Sequence, residues 1–504
     1  MKRIKYIYIV LMGLVVAGFS SCEDKLDQSP ISSLGSNAFY QNEEDFITAL
    51  SGVYNGLNAY PINHFELSEV RSDNIYSPGT AGVRDYNLIN NFNRNLEATS
   101  IMNDTWNGLY NNIMRANTLL ANLSANVVPD GDLRTRIEGE AKFLRALFYF
   151  DLVRFFGKVP VFDRPVTPLE ALEIGRSEVP AVYDLIISDL EFSISNLPPN
   201  YSSATNFGRA TSYAARGLLA RVYMTRSGPQ LHPDGPTLNS NEWGEALEQL
   251  NAIIDSNQFD LLDDYGDVFA YDNENNEEIV FDIQFLSGGQ GVGGEYVQYH
   301  YPEAFGRSNE IPFAGGTFPD APKTVSPDMM ASFGDPDVRD DFSVWVNYFD
   351  ANGNLVQDRF IKKYLDLDNL GVDRFDFELN FPVIRYSDIL LMKAEALSQS
   401  GGSQLEIDAL VNQVRSRAGY TLPLVLVSYE QIMEERRREF IGEGLRWHDL
   451  VRSGMAIDTM LDWIAADDAA NKISTDINSD DLIYAVPLNQ LDVKEGLYQQ
   501  NPGY

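Results

Sequence analysis

The chain has 504 residues, of which 44% are hydrophobic, and its formal net charge at pH 7 is −35. This length and hydrophobic content supply a large buried core, and a single cysteine excludes disulfides within the chain. The acidic balance excludes a nucleic-acid binder, which needs clustered Lys and Arg against phosphates, and it excludes attachment to an anionic membrane through a basic patch.

The first 21 residues have the pattern of a bacterial lipoprotein signal. Three basic residues precede an uncharged stretch over residues 6–19, and two serines stand directly before Cys22. The uncharged stretch is shorter than the roughly 20 apolar residues that a membrane span needs. The alternative is an ordinary secretory signal with an incidental cysteine. We expect a signal over 1–21, lipidation of Cys22, an acidic tether over 22–36, and a location outside the cytoplasm.

Most of the remaining chain, 37–504, has apolar residues at helical spacing and is predicted to form one mostly α domain. Pairs of helices joined by short loops favour tetratricopeptide-like helical-repeat packing, although no strict 34-residue consensus repeats. The scaffold is predicted to comprise residues 37–260 and 380–504. The predicted helices cover residues 43–59, 103–124, 133–156, 180–196, 210–226, 242–256, 384–400, 405–417 and 428–452.

The middle of the chain, residues 260–380, is predicted to be a loop-rich insert. It contains Gly-, Pro- and Asn-rich stretches and a few short β-like runs. Residues 279–285 are one strand candidate, and 345–349 with 355–361 are predicted to pair as a hairpin around a turn over 350–354. Long loops on a rigid scaffold often carry binding function.

No catalytic, metal or cofactor motif stands out. The four histidines are scattered singly, and the glycine-rich run 288–294 lacks the lysine and following helix of a phosphate loop. Residues 350–354 alternate Asp and Asn, but Leu355 stands where a calcium loop requires glycine. We therefore predict no metal site and no cofactor. Among 73 acidic residues, nothing singles out a glycosidase pair.

The charged run 434–439 is interpreted as a structural helix. Glu434 and Arg438 are four residues apart, the spacing of a helical ion pair. His448 follows in the same predicted helix, and a hydrogen-bonded, half-buried histidine is the commoner case than a catalytic one.

Several long stretches resemble the SusD/RagB family of surface nutrient-binding lipoproteins of Bacteroidota. They run from the lipoprotein signal to the last residue, with the weakest resemblance over residues 285–330. The stretches that carry the resemblance are residues 140–150 with 156–160, 381–396, 435–440 with 444–450, and 500–504.

This resemblance implies a helical fold with four tetratricopeptide-like units and a loop-rich ligand-binding face. It also implies no catalysis and a lid-like partnership with a SusC-like TonB-dependent outer-membrane transporter. The usual ligands of the family are oligosaccharides, and some members take peptides. Glu23 and Asp24 resemble the signal that sends such lipoproteins to the cell surface. The shared stretches are scaffold, so they do not name the ligand.

The ligand-contacting residues are predicted from sugar chemistry. Sugars present apolar C–H faces and hydroxyl groups, so their sites combine exposed aromatic rings with rigid hydrogen-bonding side chains. Two stretches offer such residues, and in the second, Tyr299 and Tyr301 alternate as on one strand face. For each residue the alternative is a packing or loop role. The candidates are Asp73, Asn74, Tyr76, Arg84 and Tyr86 in the first stretch, and Tyr296, Tyr299 and Tyr301 in the second.

The sequence therefore predicts a lipid-anchored surface protein that captures an oligosaccharide and delivers it to a transporter. Peptide capture by the same arrangement remains open and would favour a cleft with backbone partners. A surface glycoside hydrolase would need a carboxylate pair about 5–10 Å apart. A purely adhesive protein would lack an aromatic-lined pocket.

Overall fold

The computed structural model describes residues 39–79, 84–309, 311, 323–350 and 352–504. The predicted signal, the tether and Cys22 lie outside these residues. The described chain is mostly helical, which confirms the predicted fold class. Its long helices are Glu43–Tyr54, Ser100–Asn122, Gly131–Phe156, Val179–Asn196, Ser212–Ser227, Trp243–Ile254, Tyr386–Ser400, Gln404–Arg417, Tyr429–Glu439, Arg446–Ser453 and Ala456–Asp467.

Neighbouring helices pack in pairs, as the helical-repeat prediction requires. Gly131–Phe156 packs on Val179–Asn196, and Ser212–Ser227 packs on Trp243–Ile254. Trp243–Ile254 also packs on Tyr386–Ser400, which joins the scaffold before the insert to the scaffold after it. One hydrophobic core cluster accordingly extends from Phe46 to Val486.

The helix Gly131–Phe156 shows how the sequence sets local structure. Apolar residues at helical spacing predict a helix over 133–156, and side chains such as Phe143 and Phe150 are buried because the helix is covered on several sides. It ends at Gly157, whose φ is +68°. A Cβ atom there would lie 2.1 Å from the Asp234 carbonyl oxygen, so only glycine fits this cap.

The prediction of one helix over residues 428–452 is wrong. The chain forms two helices that are separated by residues 440–445. The first helix ends at Glu439, and the positive φ values of Gly442 and Gly444, +80° and +72°, keep the chain non-helical before Arg446. A Cβ atom on Gly444 would lie 2.5 Å from the His64 Cβ, so the break allows close packing against a distant segment.

Among the described residues, three two-stranded antiparallel sheets lie within or beside the insert, and they confirm the predicted strand and hairpin. The predicted turn is also present, since the Asp350 carboxylate accepts the backbone N–H groups of Asn352 and Asn354 at 2.8 and 2.9 Å. The strand pairs are Ile75–Tyr76 with Thr324–Val325, Ile279–Ile283 with Phe381–Arg385, and Val344–Phe349 with Leu355–Ile361.

Short helices complete the described chain. None of the helices within the described residues is long and apolar enough to cross a membrane. The short α-helices are Tyr60–His64, Asp85–Asn90, Pro168–Ala171, Glu303–Ser308, Pro327–Ser332, Arg339–Ser343 and Leu488–Leu491. Asn55–Ala59, Ala204–Asn206, Gly266–Phe269, Glu295–Tyr299 and Ser479–Leu482 are 3-10 turns, and Phe65–Glu69 is a π-helical turn.

The charged run 434–439 is a structural helix, as predicted, but most of its charges are buried in an ionic core. Arg385 donates to Glu439 at 3.0 Å and to Glu443 at 2.8 Å, and Arg339 donates to Glu439 at 2.9 Å. Burial alone would raise the pKa of Glu439, but Arg417, Arg385 and Arg339 lower it. This network ties the insert to the scaffold after it.

His448 is buried rather than half-buried. Burial lowers its pKa, and the nearby Arg154 guanidinium lowers it further. Its Nε2 has no hydrogen-bond partner among the described residues. His448 packs at a ring-centroid distance of 5.3 Å from His64 and from Phe155, which places it in the core.

Candidate functional site

The pairing of Ile75–Tyr76 with Thr324–Val325 brings the first predicted ligand stretch next to the insert. Lys323 stands directly before the second strand of this pair. Its Nζ donates to Glu66 Oε1 at 2.5 Å and to the Tyr299 carbonyl oxygen at 3.3 Å. Three segments that are distant in sequence therefore meet at one ammonium group.

Three aromatic rings surround the same ammonium group. Its Nζ lies 4.9 Å from the centroid of Phe65, 4.7 Å from that of Tyr86 and 5.0 Å from that of Tyr299. These distances suit cation–π attraction, which contributes about 0.5–2 kcal/mol for each contact. We call Phe65, Glu66, Tyr86, Tyr299 and Lys323 the Lys323 cluster.

Charge balance holds the Lys323 cluster together. The Lys323 and Glu66 side chains are 9% and 8% exposed, so their ion pair is largely shielded from water. Lys323 thus contacts both tyrosine rings, and Tyr86 and Tyr299 are partly buried, with part of each side chain left exposed. A partly exposed ring held in place is the kind of surface on which an apolar sugar face can pack.

A second carboxyl group lies beside the Lys323 cluster. The Tyr299 hydroxyl donates to Glu295 Oε1 at 3.4 Å, and the Gln298 amide donates to the same oxygen at 3.3 Å. Burial raises the pKa of Tyr299 to about 12, with a further contribution from the Glu295 charge. Burial also raises the pKa of Glu295. The Tyr299 hydroxyl therefore stays protonated at neutral pH and acts as a donor to Glu295.

Arg84 and Tyr86 lie at the start of the short helix Asp85–Asn90, and the Tyr86 ring contacts Lys323. Arg84 is the N-cap residue of the helix Asp85–Asn90 and is half-buried. Tyr86 lies in the first turn of that helix, which fixes its backbone beside Lys323. Of the predicted site residues, the structure thus brings Tyr86 and Tyr299 together, with Arg84 two residues from Tyr86.

Asp73 and Asn74 are buried and fully engaged within the protein, so the prediction that they contact a ligand does not fit the structure. Asp73 accepts two bonds from Arg446, both at 2.8 Å. Burial alone would raise the pKa of Asp73, but Arg437 and Arg446 lower it to about 2. Asn74 accepts from Arg437 at 2.9 Å and donates to Glu69 at 3.3 Å.

Tyr296 also belongs to the core, in contrast to the prediction of a ligand contact. It is 1% exposed, and its hydroxyl donates to the Leu379 carbonyl oxygen at 3.0 Å. The prediction that Tyr299 and Tyr301 share a strand face is wrong, because Glu295–Tyr299 is a 3-10 turn in which side chains do not alternate.

Tyr76 and Tyr301 are half-buried, and each has its own partners. The Tyr76 hydroxyl donates to Asp468 at 2.9 Å. Burial raises the pKa of Tyr76 to about 12, and the bond to Asp468 adds to the effect. Tyr301 lies 6.4 Å from Phe305 between ring centroids. Neither residue is among the described contacts of Lys323.

Sequence reasoning missed Lys323, Phe65, Glu66 and Glu295 among the site residues. Lys323 stands in the stretch where the family resemblance is weakest, and no local pattern marks it. Its aromatic partners come from sequence positions 65, 86 and 299. Only the tertiary structure brings these positions together.

Within the described ranges, no group of His, Cys, Asp and Glu residues has an arrangement that would hold a metal ion. The glycine-rich run is also engaged by the protein itself. The backbone N–H groups of Gly288 and Gly289 donate to the Asp376 carboxylate at 2.9 and 3.1 Å. This loop therefore holds an internal carboxylate in the position where a phosphate loop would hold a phosphate.

Two family descriptions match the chain. Residues 24–224 match a SusD-like family described as starch-binding and associating with the outer membrane. Residues 350–504 match the SusD family itself. The unmatched residues between them include most of the loop-rich insert.

Sequence relatives match nearly the full length. A SusD-like protein from Formosa agariphila is 27% identical over 98% of this chain and 99% of its own length. A second SusD-like protein from the same organism is 29% identical over 91% of this chain and 94% of its own length. The starch-binding protein SusD of Bacteroides thetaiotaomicron is 24% identical over 73% of each chain.

Solved structures share the fold. The surface glycan-binding protein A from Bacteroides fluxus superposes with a TM-score of 0.78 at 25% identity, covering 92% of this chain and 100% of that one. A laminarin-binding SusD-like protein superposes with a TM-score of 0.74 at 26% identity over the same shares of each chain.

Proposed function

Because the chain belongs to the SusD family, we propose that it captures a glycan at the cell surface and passes it to a SusC-like TonB-dependent transporter. Relatives whose names specify binding of starch, laminarin or glycans support a glycan as the ligand. Glucans are therefore the first ligands to test. The transporter partner and the delivery step rest on the family resemblance.

The proposed location of the site rests on one observation, the contact of both the Tyr86 and the Tyr299 ring with Lys323. Two partly exposed tyrosine rings contact the ammonium group of one shielded ion pair, and Glu295 lies within hydrogen-bonding distance of the Tyr299 hydroxyl. We propose that the sugar packs on Tyr86 and Tyr299 while Arg84 and Glu295 hydrogen-bond to its hydroxyl groups. Tyr76 and Tyr301 are candidates at the margin of this surface.

We propose binding without catalysis. A glycosidase needs one protonated and one ionised carboxyl group with access to the glycosidic bond. Glu66 is shielded and paired with Lys323, and Glu295 accepts from the Tyr299 hydroxyl, so both carboxyl groups already have partners within the protein. Incubation of the protein with a bound oligosaccharide is expected to release no new reducing ends.

Attachment to the outer membrane through lipidated Cys22 is part of the same proposal. The acidic residues after Cys22 favour exposure on the cell exterior, since they resemble the surface-export signal of the family. A Cys22→Ser variant is expected to lose incorporation of radiolabelled palmitate and to leave the membrane fraction. Retention of both properties would contradict the proposal.

A glycan and peptide array with the chain from Glu23 onward tests the ligand class. Tyr86→Ala and Tyr299→Ala are the site variants. Phe349→Ala is the matched control, because this aromatic side chain is 60% exposed and lies outside the Lys323 cluster. Binding of one glycan class that both site variants lose and the control keeps would support the proposal. Binding of peptides alone, or of glycans without loss in either site variant, would contradict it.

A further inference from the structure

A second aromatic cavity, lined by residues other than those of the Lys323 cluster, lies beside the hairpin Val344–Phe349 and Leu355–Ile361. It encloses about 790 Å³, within the range of about 300–1,000 Å³ that is typical of small-molecule sites. Its lining combines Trp345, Phe342 and Tyr271 with the polar side chains of Lys362, Asp366 and Asn369. None of these residues belongs to the Lys323 cluster.

Trp345 differs from every other tryptophan of the chain. All five tryptophans lie in the described part of the structure, and Trp106, Trp243, Trp447 and Trp463 are buried. Trp345 alone keeps part of its indole exposed. Phe305 meets it edge-on at 4.8 Å, and its indole N–H donates to the Asn347 carbonyl oxygen at 3.2 Å. The ring is therefore held in a fixed orientation while part of its surface lines the cavity.

Hydrogen-bonding groups stand at the same cavity in a fixed arrangement. The Asn369 amide donates to Asp366 Oδ2 at 2.6 Å, and the Asp368 backbone N–H donates to Asp366 Oδ1 at 2.9 Å. Lys362 Nζ lies 5.3 Å from the Trp345 ring. An amide and a carboxylate fixed against each other present a donor and acceptors to neighbouring hydroxyl groups.

We propose that the Trp345 cavity is a second carbohydrate-contact site that takes neutral hexose units. An exposed indole beside paired amide and carboxylate groups matches the apolar face and the hydroxyl edge of a sugar ring. Three carboxylates line the cavity, namely Asp272, Asp366 and Glu378. Of the two lining lysines, Lys363 is paired with the buried Glu443, so Lys362 is the remaining positive charge. This excess of negative charge disfavours acidic sugars. The choice of ligand class rests on the proposed function, but the location rests on the cavity alone.

Two separate contacts would let one long glycan engage the protein twice. The second contact then forms as an intramolecular event, so it raises the affinity for long chains more than for short ones. This arrangement suits retention of a polymer at the cell surface before transport. The Trp345 cavity would then set a preference for ligand length.

Tryptophan fluorescence tests the cavity directly, because only Trp345 is partly exposed. Acrylamide is expected to quench a component in the wild type that is absent from Trp345→Phe. Laminarihexaose, maltohexaose and cellohexaose are the probes, and at least one is expected to protect that component from acrylamide. Absence of protection by all three hexaoses would overturn the proposal.

Titration calorimetry with the protecting hexaose separates this proposal from the proposed function. Trp345→Ala is expected to weaken binding about ten-fold and Asn369→Ala about five-fold, with Phe349→Ala, on the same hairpin, unchanged. The Asn369 variant guards against misfolding, because Asn369 is exposed. Full affinity in both Trp345→Ala and Asn369→Ala would overturn the proposal of the Trp345 cavity. If Tyr299→Ala alone lost affinity in that case, the function proposed at the Lys323 cluster would be kept. Loss in the Trp345 and Asn369 variants but not in Tyr299→Ala would keep the Trp345 cavity and remove the site proposed at Lys323.

Discussion

Replacement of Asp73 by alanine distinguishes a structural carboxylate from a ligand-binding one. The side chain is 1% exposed and pairs with Arg446 at 2.8 Å and with Arg437 at 3.1 Å. Its removal leaves two buried guanidinium groups without this partner. We therefore expect a lower free energy of unfolding, whereas a role in ligand binding alone would leave the free energy of unfolding unchanged.

The magnitude follows from the pKa. The pKa of Asp73 is lowered from 3.8 to about 2 in the folded protein. Such a shift corresponds to roughly 2 kcal/mol, because one pKa unit is about 1.4 kcal/mol. Breaking a buried pair by removing one partner typically costs about 3–5 kcal/mol. We expect Asp73→Ala to lower the free energy of unfolding by about 3 kcal/mol.

Asp328→Ala is the matched control. Asp328 pairs with the same Arg437 at 2.8 Å, but its side chain is 44% exposed. Exposed pairs contribute about 0–1 kcal/mol, so this variant is expected to lose at most that amount. Urea denaturation followed by circular dichroism, with calorimetry as a check on two-state behaviour, measures both variants.

The stabilisation by Asp73 is expected to depend on pH in a defined direction. The folded pKa lies below the unfolded value, so the contribution of Asp73 is fully present above about pH 4 and is lost as the pH falls towards about 2. The stability difference between wild type and Asp73→Ala is expected to shrink over that window. Equal stability of the two Asp variants, with loss of glycan binding only in Asp73→Ala, would refute the assignment of Asp73 to the core.

Three further perturbations test other parts of the structure. Lys323→Met leaves Glu66 without its partner and is expected to weaken both stability and glycan binding. The double variant Lys323→Met with Glu66→Gln is expected to recover stability but not glycan binding. Denaturation measures the stability and calorimetry measures the binding. Gly444→Ala places a Cβ atom 2.5 Å from a neighbouring side chain at a φ of +72°, so the free energy of unfolding is expected to fall by at least about 2 kcal/mol, seen as a lower melting temperature. Gly52→Ala is the control, because open space surrounds the added Cβ atom, and it is expected to leave the melting temperature unchanged. Burial lowers the pKa of His300 to about 3, so on acidification the unfolded state binds a proton at this residue before the folded state does. Acidification from pH 7 to pH 5 is therefore expected to lower the free energy of unfolding by about 2 kcal/mol through His300. His300→Phe is expected to lose correspondingly less stability over that range, and the same pH profile in both proteins would contradict the burial of His300.

Much of the scaffold was predictable because its signals are local. Apolar spacing alone predicted a helix over 133–156, which the structure places at Gly131–Phe156. The hairpin around residues 350–354 followed from turn residues between two β-like runs. The break at Gly442 and Gly444 was missed, because glycine does not by itself end a periodic pattern and close packing against His64 is a long-range contact.

The candidate site was predictable only in part. Tyr86 and Tyr299 were predicted from residue type, and the structure places both beside Lys323. Asp73, Asn74 and Tyr296 have the same residue chemistry, yet they are buried. Residue type sets what a side chain can bind, whereas burial depends on which other segments cover it.

The sequence by itself determined the fold class, the family and the kind of chemistry that the surface can perform, because periodicity, motif spacing and residue type are all properties of neighbouring positions. The tertiary structure alone decided which aromatic residues remain exposed and which charges are neutralised. Lys323 binds Glu66 across 257 positions, and Asp73 binds Arg446 across 373 positions. No local pattern encodes such contacts, because each one forms only when the packing of the helices brings the two segments together.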